Sequence, residues 1–169
     1  MEIDYRNVWM KENATAKRDA FALWAELGVL PASADANTRG SQLCIAAYEG
    51  EKLAALSTAY FEVLPRLRER FAFVRVLVGP DRRNEGVVNR LAIESYGVLE
   101  AWAEAHPEER VAGTAAIIVA PGALKGGYTK TGWVLVGYTD DDRPIAVRWF
   151  PHFRFEVAKP PRAMERMRG

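Results

Sequence analysis

The stretch RVLVGPDRRNEGVVNRL, residues 75–91, decides how the chain is read. It starts as the apolar end of a strand, breaks at Gly79-Pro80, passes Arg82, Arg83 and Gly86, and then takes up helical spacing. A strand that turns abruptly into a helix leaves the first helical amides without internal partners. Those N–H groups and the positive end of the helix dipole point the same way, so the turn attracts anions. Gly86 has no side chain, and an anion can approach the backbone there closely. The amides from Asn84 to Val88 can form a nest for it. Arg82 or Arg83 can add a charge-assisted hydrogen bond.

The segments on either side supply a strand and a helix. Residues 71–78 are apolar at nearly every position toward their end, as in a central strand covered on both faces. From Gly86 onward Val87, Val88, Leu91, Ala92, Ser95, Val98, Leu99 and Trp102 recur at three- and four-residue steps. That is a long amphipathic helix, ending by Pro107. Residues 111–119 form a short buried strand, and strand, helix, strand in this order implies a right-handed parallel crossover.

Upstream, residues 2–9 read as a first strand with Ile3, Tyr5 and Val8 inward. Asn13 or Thr15 caps a helix to Leu27 with Ala20, Phe21, Trp24 and Leu27 on one face; Gly28 and Pro31 end it. Residues 32–42 form a loop or a short helix. Residues 43–48 and 53–63 are strands joined by a hairpin at Glu49-Gly50-Glu51-Lys52. Downstream, residues 133–139 and 145–150 flank a second hairpin turn, and 152–157 extend the last strand. The fold expected is α/β, a mixed and mostly antiparallel sheet.

Composition sets the outer limits. A chain of 169 residues, 49% hydrophobic and 27% charged, suits one soluble domain with a sizeable core. Lys plus Arg is 23 against 22 for Asp plus Glu, so there is no global basic field and nucleic acid is not an expected partner. Arg66, Arg68 and Arg70 read as solvated surface. The single cysteine, Cys44, excludes an internal disulfide and fits a reducing compartment. Inside LCIAAY it reads as a buried small hydrophobe. The N-terminus has no signal pattern, and the longest mostly apolar stretch, 111–124, is too short and too broken to span a bilayer. A cytoplasmic protein without membrane attachment is expected. His106 and His152 have no metal-ligand company, so no metal is expected. Nothing divides the chain: one domain covers 1–158, and 159–169 form a basic, Pro-containing tail. Trp149, Phe150, Phe153 and Phe155 suit core packing with some contact in a homodimer.

Taken together, the chain resembles the GCN5-related N-acetyltransferase (GNAT) superfamily over most of its length. That family's Arg/Gln-x-x-Gly-x-Gly/Ala signature stands here as Arg83-Asn84-Glu85-Gly86-Val87-Val88, preceded by Val78-Gly79-Pro80. Tyr128-Thr129-Lys130-Thr131-Gly132-Trp133 is similar to the family's Tyr-x-x-x-Gly-Phe segment. The resemblance implies helices on both faces of the sheet and a fourth and fifth strand that are parallel and splay apart. It implies that acetyl-CoA, or another acyl-CoA, is the cofactor. Its pantetheine arm would lie in the splay against Val76, Leu77 and Val78, and its diphosphate against Arg82, Arg83, Asn84, Glu85, Gly86, Val87 and Val88. Val88 stands where Gly or Ala is usual, and Glu85 puts a carboxylate in the nest.

The activity implied is acyl transfer to an amine of a small molecule. The oxyanion would meet a backbone N–H near Val78. Tyr128 is the candidate general acid, with Tyr138 in reserve. Residues 71–78 carry no carboxylate, so Glu62 on the neighbouring strand is the candidate base, with a water relay as an equal alternative. Two other functions fit the residues: a CoA-binding regulatory module without chemistry, and an acyltransferase acting on a macromolecular amine.

Overall fold

The structure is a computed structural model describing residues 2–30, 34–83, 86–119 and 131–155. Alternating and wholly apolar segments pair into a seven-stranded sheet. In chain order its strands are β1 (Ile3–Asn7), β2 (Leu43–Glu49), β3 (Lys52–Leu64), β4 (Glu69–Val78), β5 (Val111–Ile117), β6 (Val134–Tyr138) and β7 (Pro144–Trp149). Across the sheet the order is β1-β2-β3-β4-β5-β7-β6. Every pairing is antiparallel except β4 with β5. The helices are α1 (Ala14–Leu27), α2 (Ala36–Ser41) and α3 (Val87–Ala105).

Local chemistry sets the helix ends. The Asn13 side chain accepts from the Ala16 amide at 2.9 Å, and Gly28 closes α1 in the left-handed region at φ 60°. Asp35 caps α2 through the amides of Asn37 and Thr38. The apolar faces then dictate the layers. Ala16, Ala20, Leu23 and Trp24 of α1 pack with Leu43, Ala46, Tyr48 and Leu56 on one face of the sheet. Val87, Leu91, Tyr96, Leu99 and Ala103 of α3 pack with Ala55, Ala59, Ala72, Val74 and Val78 on the other. Alanines at the strand positions let α3 approach closely. The buried hydroxyls of Ser57 and Ser95 satisfy each other at 2.7 Å across that interface.

The feature that shapes the site is a parting of β4 from β5. Their ladder runs only from Arg70 to Phe73 on β4, with a register shift between Arg70 and Phe71. Beyond Phe73, β4 stays with β3 as far as Val78, while β5 stays with β7 as far as Ile117. Gly113 helps hold β5 to β7: a Cβ there would lie 2.3 Å from the Arg148 carbonyl oxygen. Among the described residues, none pairs with the last five residues of β4 on the side away from β3, which leaves a gap there.

Three expectations change. β4 begins at Glu69 rather than at residue 71, so it does carry a carboxylate. Residues 152–155 do not extend β7: Pro151 lacks the donor a strand needs, and the chain turns with the Phe153 amide on the Phe150 carbonyl. Arg70 is no solvated surface group, since it pairs with Glu109 and lies 4.5 Å over the Phe61 ring. The tail 159–169 lies outside the described residues. Among those described, no helix is long and apolar enough to cross a membrane.

Candidate active site

In an antiparallel pair, residues alternate between bonding their partner strand and pointing their amide and carbonyl away from it. The Gly79 amide bonds the Ala54 carbonyl at 2.9 Å, which sets the phase between β3 and β4. Leu77, Arg75 and Phe73 are then the residues bonded to β3. Val74, Val76 and Val78 turn their N–H and C=O groups into the gap. Arg83 Nε donates to the Val78 carbonyl at 3.4 Å, from the gap side. Of the three strand residues expected to meet a ligand, Val76 and Val78 turn their backbone groups away from β3. Leu77 does not: its backbone serves β3, and its side chain packs with the α1 layer.

The gap leads to the start of α3. After a 3-10 turn at Pro80–Arg82, Gly86 stands in the left-handed region at φ 73° as the residue before the helix. Among the described residues no side chain caps it. The first helical bond runs from the Arg90 amide to the Gly86 carbonyl at 3.0 Å, so the amides of Val87, Val88 and Asn89 precede the ladder. A Cβ on Gly86 would meet nothing within 4 Å among the described residues. Val87 is buried and anchors the turn, while Val88 is 46% exposed and points its side chain outward. Arg82 is engaged with Glu49 at the end of β2 (Nε to Oε2 3.2 Å), which holds that carboxyl below the usual range. Arg83 is exposed beside the gap. Asn84 and Glu85 lie outside the described residues.

On the face that carries α1 and α2, β3 and β4 present matched rows: Arg75 beside Thr58, Phe73 beside Tyr60, Phe71 beside Glu62, and Glu69 beside Leu64. The rings of Tyr60 and Phe73 lie 5.4 Å apart. The Arg75 guanidinium sits 3.9 Å over Tyr60 and donates to Gln42 Oε1 at 3.1 Å. Burial first, and the charge of Arg75 second, lower the pKa of Arg39 in α2. Glu62 is exposed. Glu69 lies 3.7 Å from Arg110.

Sequence reading missed the Arg75, Tyr60 and Gln42 group. Its one signal was an arginine inside a strand otherwise apolar on both faces. Tyr128 lies outside the described residues, and Tyr138 is 60% exposed on β6. His152 stacks on Phe150 at 5.6 Å. Among the described residues no three His, Cys, Asp or Glu side chains gather as metal ligands would. A cavity of about 210 Å³ beside α1 and α2, lined by Val8, Asn13, Lys17, Gly40 and Leu43 among others, is separate from the gap.

No family model matches the sequence, and no curated protein matches it either. Solved structures do match. A GNAT-family acetyltransferase from Streptococcus pneumoniae is 17% identical, with a TM-score of 0.51 over 86% of this chain and 96% of that one. The ribosomal-protein-S18-alanine N-acetyltransferase of Escherichia coli is 16% identical, with a TM-score of 0.51 over 94% of this chain and 100% of that one. The loading GNATL domain of CurA from Lyngbya majuscula is 12% identical, with a TM-score of 0.59 over 90% of this chain and 100% of that domain. Likeness at these identities establishes the fold.

Proposed function

We propose that this chain, which has the fold of the GCN5-related N-acetyltransferases, transfers an acyl group from acyl-CoA, acetyl-CoA in the simplest case, to an amine of a small molecule. The observation that carries the reading is the continuity of the gap with the helix start. Val74, Val76 and Val78 offer backbone donors and acceptors along one edge, and that edge ends at the uncapped amides of Val87, Val88 and Asn89. An arm bearing amide groups would pair with the edge as an added strand. A diphosphate would take the helix start, with Gly86 leaving room and Arg83 alongside.

From Val78 back to Val74 the strand spans about 13 Å. A thioester at the inner end of the arm belongs at the apex, by Phe73 and Val74, rather than near Val78. Acyl-CoA supplies the activated carbonyl: the N–C bond forms as the C–S bond breaks, and a proton from the amine ends on the departing sulfur. The Val74 amide is placed to donate to the developing oxyanion. Tyr128 is assigned as the proton donor to sulfur. Glu62, on the face of Tyr60 and Phe73, is assigned the amine proton through water.

Thermal unfolding with acetyl-CoA tests the reading, because a ligand of the folded form must raise the melting temperature. A rise is expected, and none at saturating acetyl-CoA refutes it. Thiol release then separates an enzyme from a binding module, for which the shift occurs without release. The likeness to an enzyme that acetylates a ribosomal protein supports a second reading, in which the amine belongs to a macromolecule. Release with a protein amine but with no small amine would decide for it.

A further inference from the structure

The inner end of the gap is closed by side chains on both faces of the sheet. β4 and β5 meet at Phe73 and Ala115, the last pair of their ladder. On the face away from α3, Phe73 is 6% exposed and Ala115 is fully buried, with Phe71 and Val147 buried in the same cluster. On the other face Ala72 and Val74 are buried together with Leu99 of α3. A group that reaches the apex along the edge of β4 therefore meets paired backbone ahead and packed side chains to either side. A close-packed interior resists even one added methylene.

Phe73 is the larger side chain of that last row, since Ala115 opposite it offers only a methyl. Its ring is backed from the β3 side. Register puts Tyr60 directly beside Phe73, and the two rings lie 5.4 Å apart. The Arg75 guanidinium sits 3.9 Å over Tyr60 and donates to Gln42 Oε1 at 3.1 Å. Gln42, Arg75 and Tyr60 thus form a stack that ends on the Phe73 ring, and the ring cannot swing toward β3 without displacing it.

Resting on the acyl-CoA reading, we infer that Phe73 sets the length of acyl group this chain accepts. With the thioester at the apex, the methyl of an acetyl group abuts the Phe73 ring, and longer unbranched acyl groups are turned away. Tyr60 and Arg75 are positioning residues, which act by holding the ring.

Titration calorimetry of the full chain with CoA, acetyl-CoA, butyryl-CoA and hexanoyl-CoA tests this and needs no acceptor. Acetyl-CoA should bind roughly tenfold or more tighter than hexanoyl-CoA, the least that several surplus methylenes cost in a filled site. Butyryl-CoA should fall between them. Phe73→Ala should remove or reverse the difference. Phe73→Leu keeps a core side chain in place should the alanine variant fail to fold, and it should narrow the difference. Tyr60→Leu should narrow it less. CoA without an acyl group stops short of the ring and should keep its Kd in all three variants, whereas a mere loosening of the fold would move that value too. Equal affinity of the wild type for acetyl-CoA and hexanoyl-CoA overturns the inference. So does a ratio that the Phe73 variants leave unmoved. If CoA itself does not bind, the acyl-CoA reading has failed, and the inference falls with it.

Discussion

Two glycines on one helix should respond to alanine in opposite senses. Gly86 precedes α3 at φ 73°, where a residue with a Cβ is strained by about 1–2 kcal/mol. Alanine also lowers the entropy of the unfolded chain, which returns about 0.4–1 kcal/mol. The net cost of Gly86→Ala is then about 1 kcal/mol, or about 2–4 °C in melting temperature for a domain of this size. Gly97 lies inside the 19-residue helix, is exposed, and a Cβ there meets nothing within 4 Å. Gly97→Ala should gain about 0.5–1 kcal/mol.

Ligand separates the pair further. At a hundredfold excess over Kd, acetyl-CoA should add about 2.7 kcal/mol of stability to the wild type, about 5–11 °C. The Gly86→Ala methyl enters only the space assigned to the diphosphate. A tenfold loss of affinity there would cut the stabilisation to about 1.4 kcal/mol. Gly97→Ala should keep the full shift. Scanning calorimetry with and without acetyl-CoA reads all of these values. If Gly86→Ala melts at or above the wild type, the backbone argument is wrong. If it keeps the full ligand shift, the nest is wrong.

Other positions give independent checks. Gly113→Ala would drive a methyl into the Arg148 carbonyl, 2.3 Å away on the adjacent strand, and should cost upwards of about 2 kcal/mol in urea unfolding. Among the described residues the buried Thr114 hydroxyl has no partner, so Thr114→Val should raise stability by about 1 kcal/mol; a loss in the same assay would show that the hydroxyl is bonded. Burial pushes the Cys44 thiol up to about 12, against about 9 in the unfolded chain. Its contribution to stability should be complete below about pH 9 and fade as pH climbs toward 12, and the native thiol should resist a thiol reagent at pH 8 until denaturant is added.

Periodicity and punctuation made the elements legible. Three- and four-residue spacing from Val87 to Trp102 defines α3, and Asn13 and Gly28 bracket α1 as their chemistry requires. The break at Gly79-Pro80 and the glycine at position 86 marked the turn into α3, because a glycine's tolerance of positive φ and its absent Cβ belong to the residue wherever it sits. Where β4 begins was not legible: Glu69 joins the strand only because Leu64 of β3 lies beside it.

The rest of the site is made by pairing. A strand's sequence does not say which amides face its partner, and the phase that turns Val76 outward and Leu77 inward comes from one bond to Ala54. Composition predicts no parting of β4 from β5; it follows from β5 continuing with β7 while β4 continues with β3. In the sequence Arg75 is one arginine in an otherwise apolar strand. Only the pairing of β4 with β3 sets it over Tyr60 and beside Gln42. The sequence by itself determined the elements and the start of α3, because backbone preference and hydrophobic period are local. Tertiary structure decided which groups face the gap, because register arises only between segments.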